Sequence, residues 1–206
     1  SEANIALALA NLGVDSTFFS VVPNNSIGKS AIRMLRSNDV HCTPVILSSP
    51  EETPSHRLGT YYLETGYGIR PSKVIYDRKH SALSEYDFSN YDLKALLKDF
   101  DWLHLSGITP AIGGKCPEVI MTMLKTAKEL GISGQILDVG CGEGYYSSRL
   151  ADALDSPLTG LDISKEAVRC AAAKYKGKQW LCATAAHIPV EDGSVSLLTS
   201  LFALTL

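Results

Sequence analysis

Apolar positions along the chain change period several times, and each change marks an element. Over residues 3–12 they follow a helical stripe that ends at Gly13, and the β-branched and aromatic run 16–22 predicts a buried strand. A second helix is expected over 27–36, capped by Ser26, with Ile27, Ala31, Met34 and Leu35 on its apolar face; residues 40–47 return to strand. Between Glu51 and Ser84 the helical period disappears. Two short strands, 59–64 and 73–77, flank Gly66, Gly68 and Pro71, which is the composition of a hairpin. A helix over 90–97, a strand over 102–106, a loop over 107–114 and a long helix over 117–130 follow. Proline in the first turn of that helix and Gly131 after its end are ordinary helix punctuation.

From Gly134 the alternation is strict: strand 135–139, a glycine loop, helix 145–154, strand 157–161, helix 165–175, strand 179–183 and strand 194–201. Strands separated by helices of this length need crossover connections. The expected fold class is therefore α/β, Rossmann-like, with a largely parallel sheet and helices on both faces.

Charge narrows the partners. The 206 residues hold 19 Lys plus Arg against 22 Asp plus Glu, a net charge of -3, so the surface as a whole has no cationic excess to attract a polyanion. Nucleic acid is expected only as a local partner. Five cysteines, an odd number without C-x-x-C spacing, predict neither a disulfide framework nor a metal site, and they fit a reducing, cytoplasmic setting. No apolar run approaches the roughly 20 residues of a membrane span, so no membrane partner is expected. Nothing in the pattern fixes the oligomeric state.

The sharpest motif is Asp138-Val139-Gly140-Cys141-Gly142-Glu143-Gly144, which leaves a predicted strand and opens a helix. Glycines there let a ligand approach the backbone closely, and Asp162, about 20 residues on at the end of the next strand, is placed to accept ribose hydroxyls. The acidic residues suit a ligand with positive charge, such as a sulfonium with an α-amino group. The alternative is a tight strand-to-helix turn with Asp162 as a solvated cap.

The segments ILDVGCGEGYYSSRLADAL and GLDISKEAVRCAAAKY resemble motifs one and two of class I S-adenosylmethionine (SAM) methyltransferases, among them the 23S ribosomal RNA guanine-N1 methyltransferases. That resemblance implies SAM as cofactor, held by Asp138, Gly140, Gly142, Glu143, Gly144 and Asp162. Gly142 and Glu143 would take the methionine moiety and Asp162 the ribose. RNA as a partner is implied by the resemblance alone. Ser196 stands where that family usually has an acidic residue, and Leu204 where it has proline.

Residues 1–133 carry another likeness. SEANIALALANLGVDSTFFSVV, IGKSAIRML, GTYYLETGYGIRPSKVIYDRKHSALS and DWLHLSGITPAI are similar to the ribokinase-like sugar kinases, including the 2-keto-3-deoxygluconate kinases. The resemblance implies a small β lid from residues 43–77 over a sugar site lined by Asn4, Tyr61, Tyr76, Arg78 and Ile108. Arg78 would pair the acid's carboxylate, and Arg70 is a weaker candidate. Tyr61 and Tyr76 also suit half-buried sheet positions, and Arg78 with Lys79 a solvated turn. Gly28-Lys29-Ser30 is not a P-loop, because Pro23 stands where that pattern needs glycine.

The expectation is thus a composite: a sugar-kinase-like segment over 1–133 and a methyltransferase-like segment over 134–206, joined near Ser133-Gly134, where both patterns call for a core strand and one continuous sheet can form. Both segments are expected to be incomplete. No glycine-rich D-x-x-G-A-G-D stretch, the sugar kinases' catalytic Asp and ATP-binding anion hole, occurs in the sequence, so no ATP site and no catalytic residue is assigned. Three readings stay open: a SAM-binding protein with or without methyl transfer, a sugar-acid-binding kinase segment, and a fusion with a fold but no activity.

Overall fold

The first helix–strand alternation forms with shorter strands than the pattern predicts. In the computed structural model, which describes residues 2–106, 108–132, 135–184 and 186–199, helix α1 (Glu2–Asn11) ends ahead of Gly13, whose φ of +79° suits glycine alone. Strand β1 (Val21–Pro23) connects through α2 (Ser26–Arg36) to β2 (Ile46–Ser48), and the two strands pair in parallel with Val21 opposite Ile46. The rest of the expected strands 16–22 and 40–47 contributes only the bridge between Thr17 and His41. A turn containing Pro44, closed by Val45 N–H on the Cys42 carbonyl at 3.1 Å, takes up the middle of the second stretch.

Helix α2 corrects two expectations. Its cap is Asn25, not Ser26: the Asn25 side-chain oxygen accepts from the amides of Ile27 (3.1 Å) and Gly28 (3.0 Å). Its buried face is Gly28, Ile32 and Leu35, while Ile27 and Met34 are exposed. Gly28 is the reason. A Cβ there would lie 2.1 Å from the Pro23 carbonyl oxygen, so the helix meets β1 backbone to backbone and turns its larger flanking residues outward. Beneath it, Ala6, Val22, Ile32, Leu35, Val40 and Cys42 form one core.

Strands β3 (Thr60–Glu64) and β4 (Lys73–Asp77) form the expected hairpin, with Tyr61 opposite Tyr76 and Leu63 opposite Val74 on one face and Tyr62 opposite Ile75 on the other. The hairpin lies within residues 43–77, whereas β2, in the same range, joins β1. Arg57 clasps the hairpin's root: its guanidinium bonds the Asp77 carboxylate at 2.6 and 3.0 Å and the carbonyls of Asp77 and Lys79. Helix α3 (Ala82–Glu85) follows. Ser1–Tyr91 with Pro110–Val119 makes one compact unit.

The other unit is Asp92–Thr109 with Ile120–Leu206. Helix α4 (Leu93–Leu97) starts later than predicted, because Asp92 caps it through the Ala95 amide at 2.9 Å. Residues 102–106 are in no strand, since strand composition without a ladder partner does not make one. Instead the Ser106 hydroxyl accepts the Ile108 amide at 3.2 Å and opens α5 (Ile108–Ala111). Helix α6 (Cys116–Glu129) ends before Gly131. Ser133 and Gly134, at the expected join, Gly107 of the expected loop, and residues 200–201 and Leu204 lie outside the described residues.

Strands β5 (Gln135–Val139), β6 (Leu158–Asp162), β7 (Gln179–Cys182) and β8 (Val195–Thr199) build a parallel sheet in the order β7-β6-β5-β8. Helix α7 (Tyr145–Leu154) links β5 to β6, and α8 (Lys165–Lys174) links β6 to β7. Leu137, Val139 and Leu161 form its core, with Val190, Val195 and Leu198 against them. Lys128 of α6 donates to the carbonyls of Leu154 and Asp155, placing a cation at the carboxyl end of α7. The chain leaves β5 toward β6 and β7 and then returns to β5's other side as β8. The carboxyl end of β5 is therefore a topological switch point, where open α/β sheets form their ligand crevices. Among the described residues no helix is long and apolar enough to cross a membrane.

Candidate functional site

The glycine loop occupies that switch point, and the bonds that hold it come from the neighbouring strand. The Gly140 and Cys141 amides donate to the Leu161 carbonyl at 2.7 and 3.0 Å, and the Gly142 amide donates to Asp162 Oδ2 at 2.8 Å. Gly140, Gly142 and Gly144 have φ values of +79°, +54° and +76°, and Gly144 is the N-cap of α7. One side of the loop is filled: a Cβ on Gly144 would come within 2.3 Å of the Trp180 ring, and one on Gly160 within 2.4 Å. The other side is open, since a Cβ on Gly142 would meet nothing within 4 Å.

Each acidic residue has a distinct setting. Asp138 is 1% exposed and accepts a hydrogen bond from Ser147 Oγ in the first turn of α7, so it ties the helix to the strand. Asp162 is half-buried at the end of β6. Its two oxygens accept from Gly142 N–H and from Ser164 N–H, at 2.8 Å each. A carboxylate has about four lone-pair sites, so two backbone bonds fix its orientation and leave each oxygen an acceptor for a diol. Glu143 is exposed and ion-paired to Lys174 of α8. Cys141, between Asp138 and Asp162, is pushed up to about 12 by burial first and by the two carboxylates second, so it stays a thiol and is no nucleophile.

These residues fit the charged nucleoside cofactor that the sequence implies. Gly142 offers an open face, Asp162 a carboxylate oriented by two backbone bonds, and Glu143 an exposed carboxylate paired with Lys174. Among the described residues, no group of three His, Cys, Asp or Glu side chains is arranged to hold a metal ion.

The hairpin gathers part of the other predicted set. Tyr61 and Tyr76 are cross-strand partners with ring centroids 6.4 Å apart, and the Arg78 guanidinium lies 4.5 Å from the centre of the Tyr76 ring. Both tyrosines are exposed rather than half-buried, at 60% and 65%. Arg70 bonds the Thr65 carbonyl near the hairpin tip. Asn4 is an exposed residue of α1 in the same unit, and Ile108 belongs to the other unit.

Comparison with known proteins bears on both regions. Residues 1–140, well over half of the chain, match the pfkB family carbohydrate kinases. The chain belongs to the pfkB carbohydrate kinase family. Residues 136–206 match a methyltransferase domain, so the two matches overlap by a few residues of β5. A 2-dehydro-3-deoxygalactonokinase of Haloferax volcanii is 29% identical over 170 residues, 82% of this chain and 51% of that protein. A 2-dehydro-3-deoxygluconokinase of Bacillus subtilis is 27% identical over 131 residues, 64% of this chain and 39% of that protein. The solved 2-dehydro-3-deoxygluconokinase of Thermotoga maritima superposes with a TM-score of 0.65 at 30% identity, covering 84% of this chain and 59% of that one. This pfkB chain spans about half the length, or less, of the curated relatives it matches. Matches covering 82–84% of it run past residue 140, so part of the α/β pattern in the methyltransferase-like region is common to kinases as well.

Four residues of this pfkB chain that shape the sites escaped the sequence reading: Ser147, Trp180, Lys174 and Arg57. Trp180 had a signal in principle, a large side chain in a strand next to one bearing Gly160. The partners of Lys174 and Arg57 lie 31 and 20 residues away, and no local spacing announces them.

Proposed function

We propose that the methyltransferase-like segment binds S-adenosylmethionine at the carboxyl end of β5. The observation that carries the reading is the bond between Gly142 N–H and Asp162 at the switch point, which couples the loop to the ribose acceptor. The cofactor, when bound, supplies an electrophilic methyl group. The chain's part is to hold it: Asp162 accepts from the ribose, Gly142 lets backbone approach, and Glu143 faces the positive amino-acid end. Asp138, through Ser147, keeps the loop and α7 in register. Titration calorimetry tests this. Wild type should give saturable heat with SAM, and Asp162→Ala should weaken binding about tenfold or more, since a hydrogen bond to a charged group contributes about 1.5–3 kcal/mol. No heat from wild type, or unchanged affinity in the variant, rejects the reading.

A second reading concerns the kinase-like segment, with its boundary near residue 133. Tyr61, Tyr76 and Arg78 form an aromatic, cationic face suited to a sugar acid, with Arg78 as the carboxylate partner; Asn4 and Ile108 rest on family resemblance. This assigns sugar-acid binding, and no phosphoryl transfer, to these residues. Saturating 2-dehydro-3-deoxygluconate should raise the melting temperature, because a ligand of the folded state stabilises it, and Arg78→Ala should remove the shift. A flat melt rejects this reading. Failure of both ligands leaves a fold without activity.

A further inference from the structure

Glu143, the loop's exposed carboxylate, already holds a cation. Its partner is Lys174, the last residue of α8, and the two side chains are 58% and 54% exposed. Glu143 keeps Lys174 protonated more firmly than usual, through the hydrogen bond first and the charge second. Lysine at that position also lies at a helix carboxyl end, which favours a positive charge. A ligand with its own ammonium group therefore meets a carboxylate that is neutralised beforehand.

We propose that Lys174 occupies the place of the cofactor's ammonium on Glu143, so that binding exchanges one cation for another and Lys174 sets the selectivity between SAM and adenosines lacking the amino-acid end. This rests on the cofactor reading above. The exchange keeps the charge at Glu143 balanced: the lysine ammonium moves into water as the ligand ammonium arrives. An exposed pair is weak, so Lys174 moderates affinity without blocking the site. Its effect falls on ligands that carry an ammonium, whether or not they carry a sulfonium.

The test titrates wild type, Lys174→Met and Lys174→Arg with SAM, S-adenosylhomocysteine and 5′-methylthioadenosine. The first two ligands carry the amino-acid end and the third does not. Lys174→Met should bind SAM and S-adenosylhomocysteine about two- to fivefold more tightly and 5′-methylthioadenosine unchanged, with Lys174→Arg matching wild type. In 1 M salt, where the Debye length is about 3 Å, the gain should shrink. Equal changes for all three ligands, weaker SAM binding, or a gain confined to SAM would each overturn the proposal. Wild type that binds none of the three fails the cofactor reading itself, a result distinct from binding that Lys174→Met leaves untouched.

Discussion

The loop after β5 turns on three left-handed glycines and the hairpin β3–β4 on one, and they are held in different ways. Gly144 has a φ of +76° and the Trp180 ring against it, while Gly68 has a φ of +60° and open space around it. In the first, tertiary neighbours fix the backbone. In the second, the turn glycine meets no neighbour, the non-local hold is Arg57 at the root, and the residues at the tip stay exposed: Tyr67 at 92% and Ile69 at 106%. A site whose backbone is fixed by its surroundings is preorganised, whereas a two-stranded hairpin is marginal without something to pack on.

The most direct way to break this contrast is to substitute the two glycines. Gly144→Ala adds backbone strain to a clash with Trp180 and should cost about 2–4 kcal/mol, whereas Gly68→Ala should cost about 1 kcal/mol, read by chemical denaturation. Equal costs would erase the distinction. Ser147→Ala comes next. It withdraws a hydroxyl from buried Asp138 and should cost about 1–3 kcal/mol, with weakened SAM binding as the accompanying readout.

Arg57→Ala sharpens the other side. Losing the clasp on Asp77 should speed amide hydrogen exchange about tenfold in β3 and β4 and leave β5 and β6 unchanged. The smallest effect concerns thiols. Cys182 is exposed, while Cys141 is pushed up to about 12, so at pH 8–9 an alkylating reagent should label Cys182 and leave Cys141 intact. Because the protonated form is favoured in the fold, Cys141 labelling should rise only as pH approaches 12; early labelling would mean a more open loop.

Legibility followed the range of the interactions. The run from β5 to α8 was readable to within a residue or two, because helix period, glycine loop and the end of β6 are all local signals. The places of Gly142 in the loop and of Asp162 at the end of β6 were readable for the same reason. The shortening of β1 and β2, the outward turn of Ile27 and Met34, and the absence of a strand at residues 102–106 were not. They depend on packing, on ladder pairing or on a turn inside the apolar run: Gly28 against Pro23, a ladder that residues 102–106 do not join, and the turn at Pro44. Asp138 shows the same limit at the site. Its place in the motif was evident, while its burial and its pairing with Ser147 were not.

The proposed ligand faces are two, one at the switch point and one on the hairpin. Hydrogen exchange followed by mass spectrometry, with and without each ligand, tests them most directly. SAM should protect residues 138–147 and 158–167 and leave 60–77 unchanged, and 2-dehydro-3-deoxygluconate should protect 60–77 and leave the glycine loop unchanged. Protection of the hairpin by SAM, or of no segment by either ligand, would contradict the account.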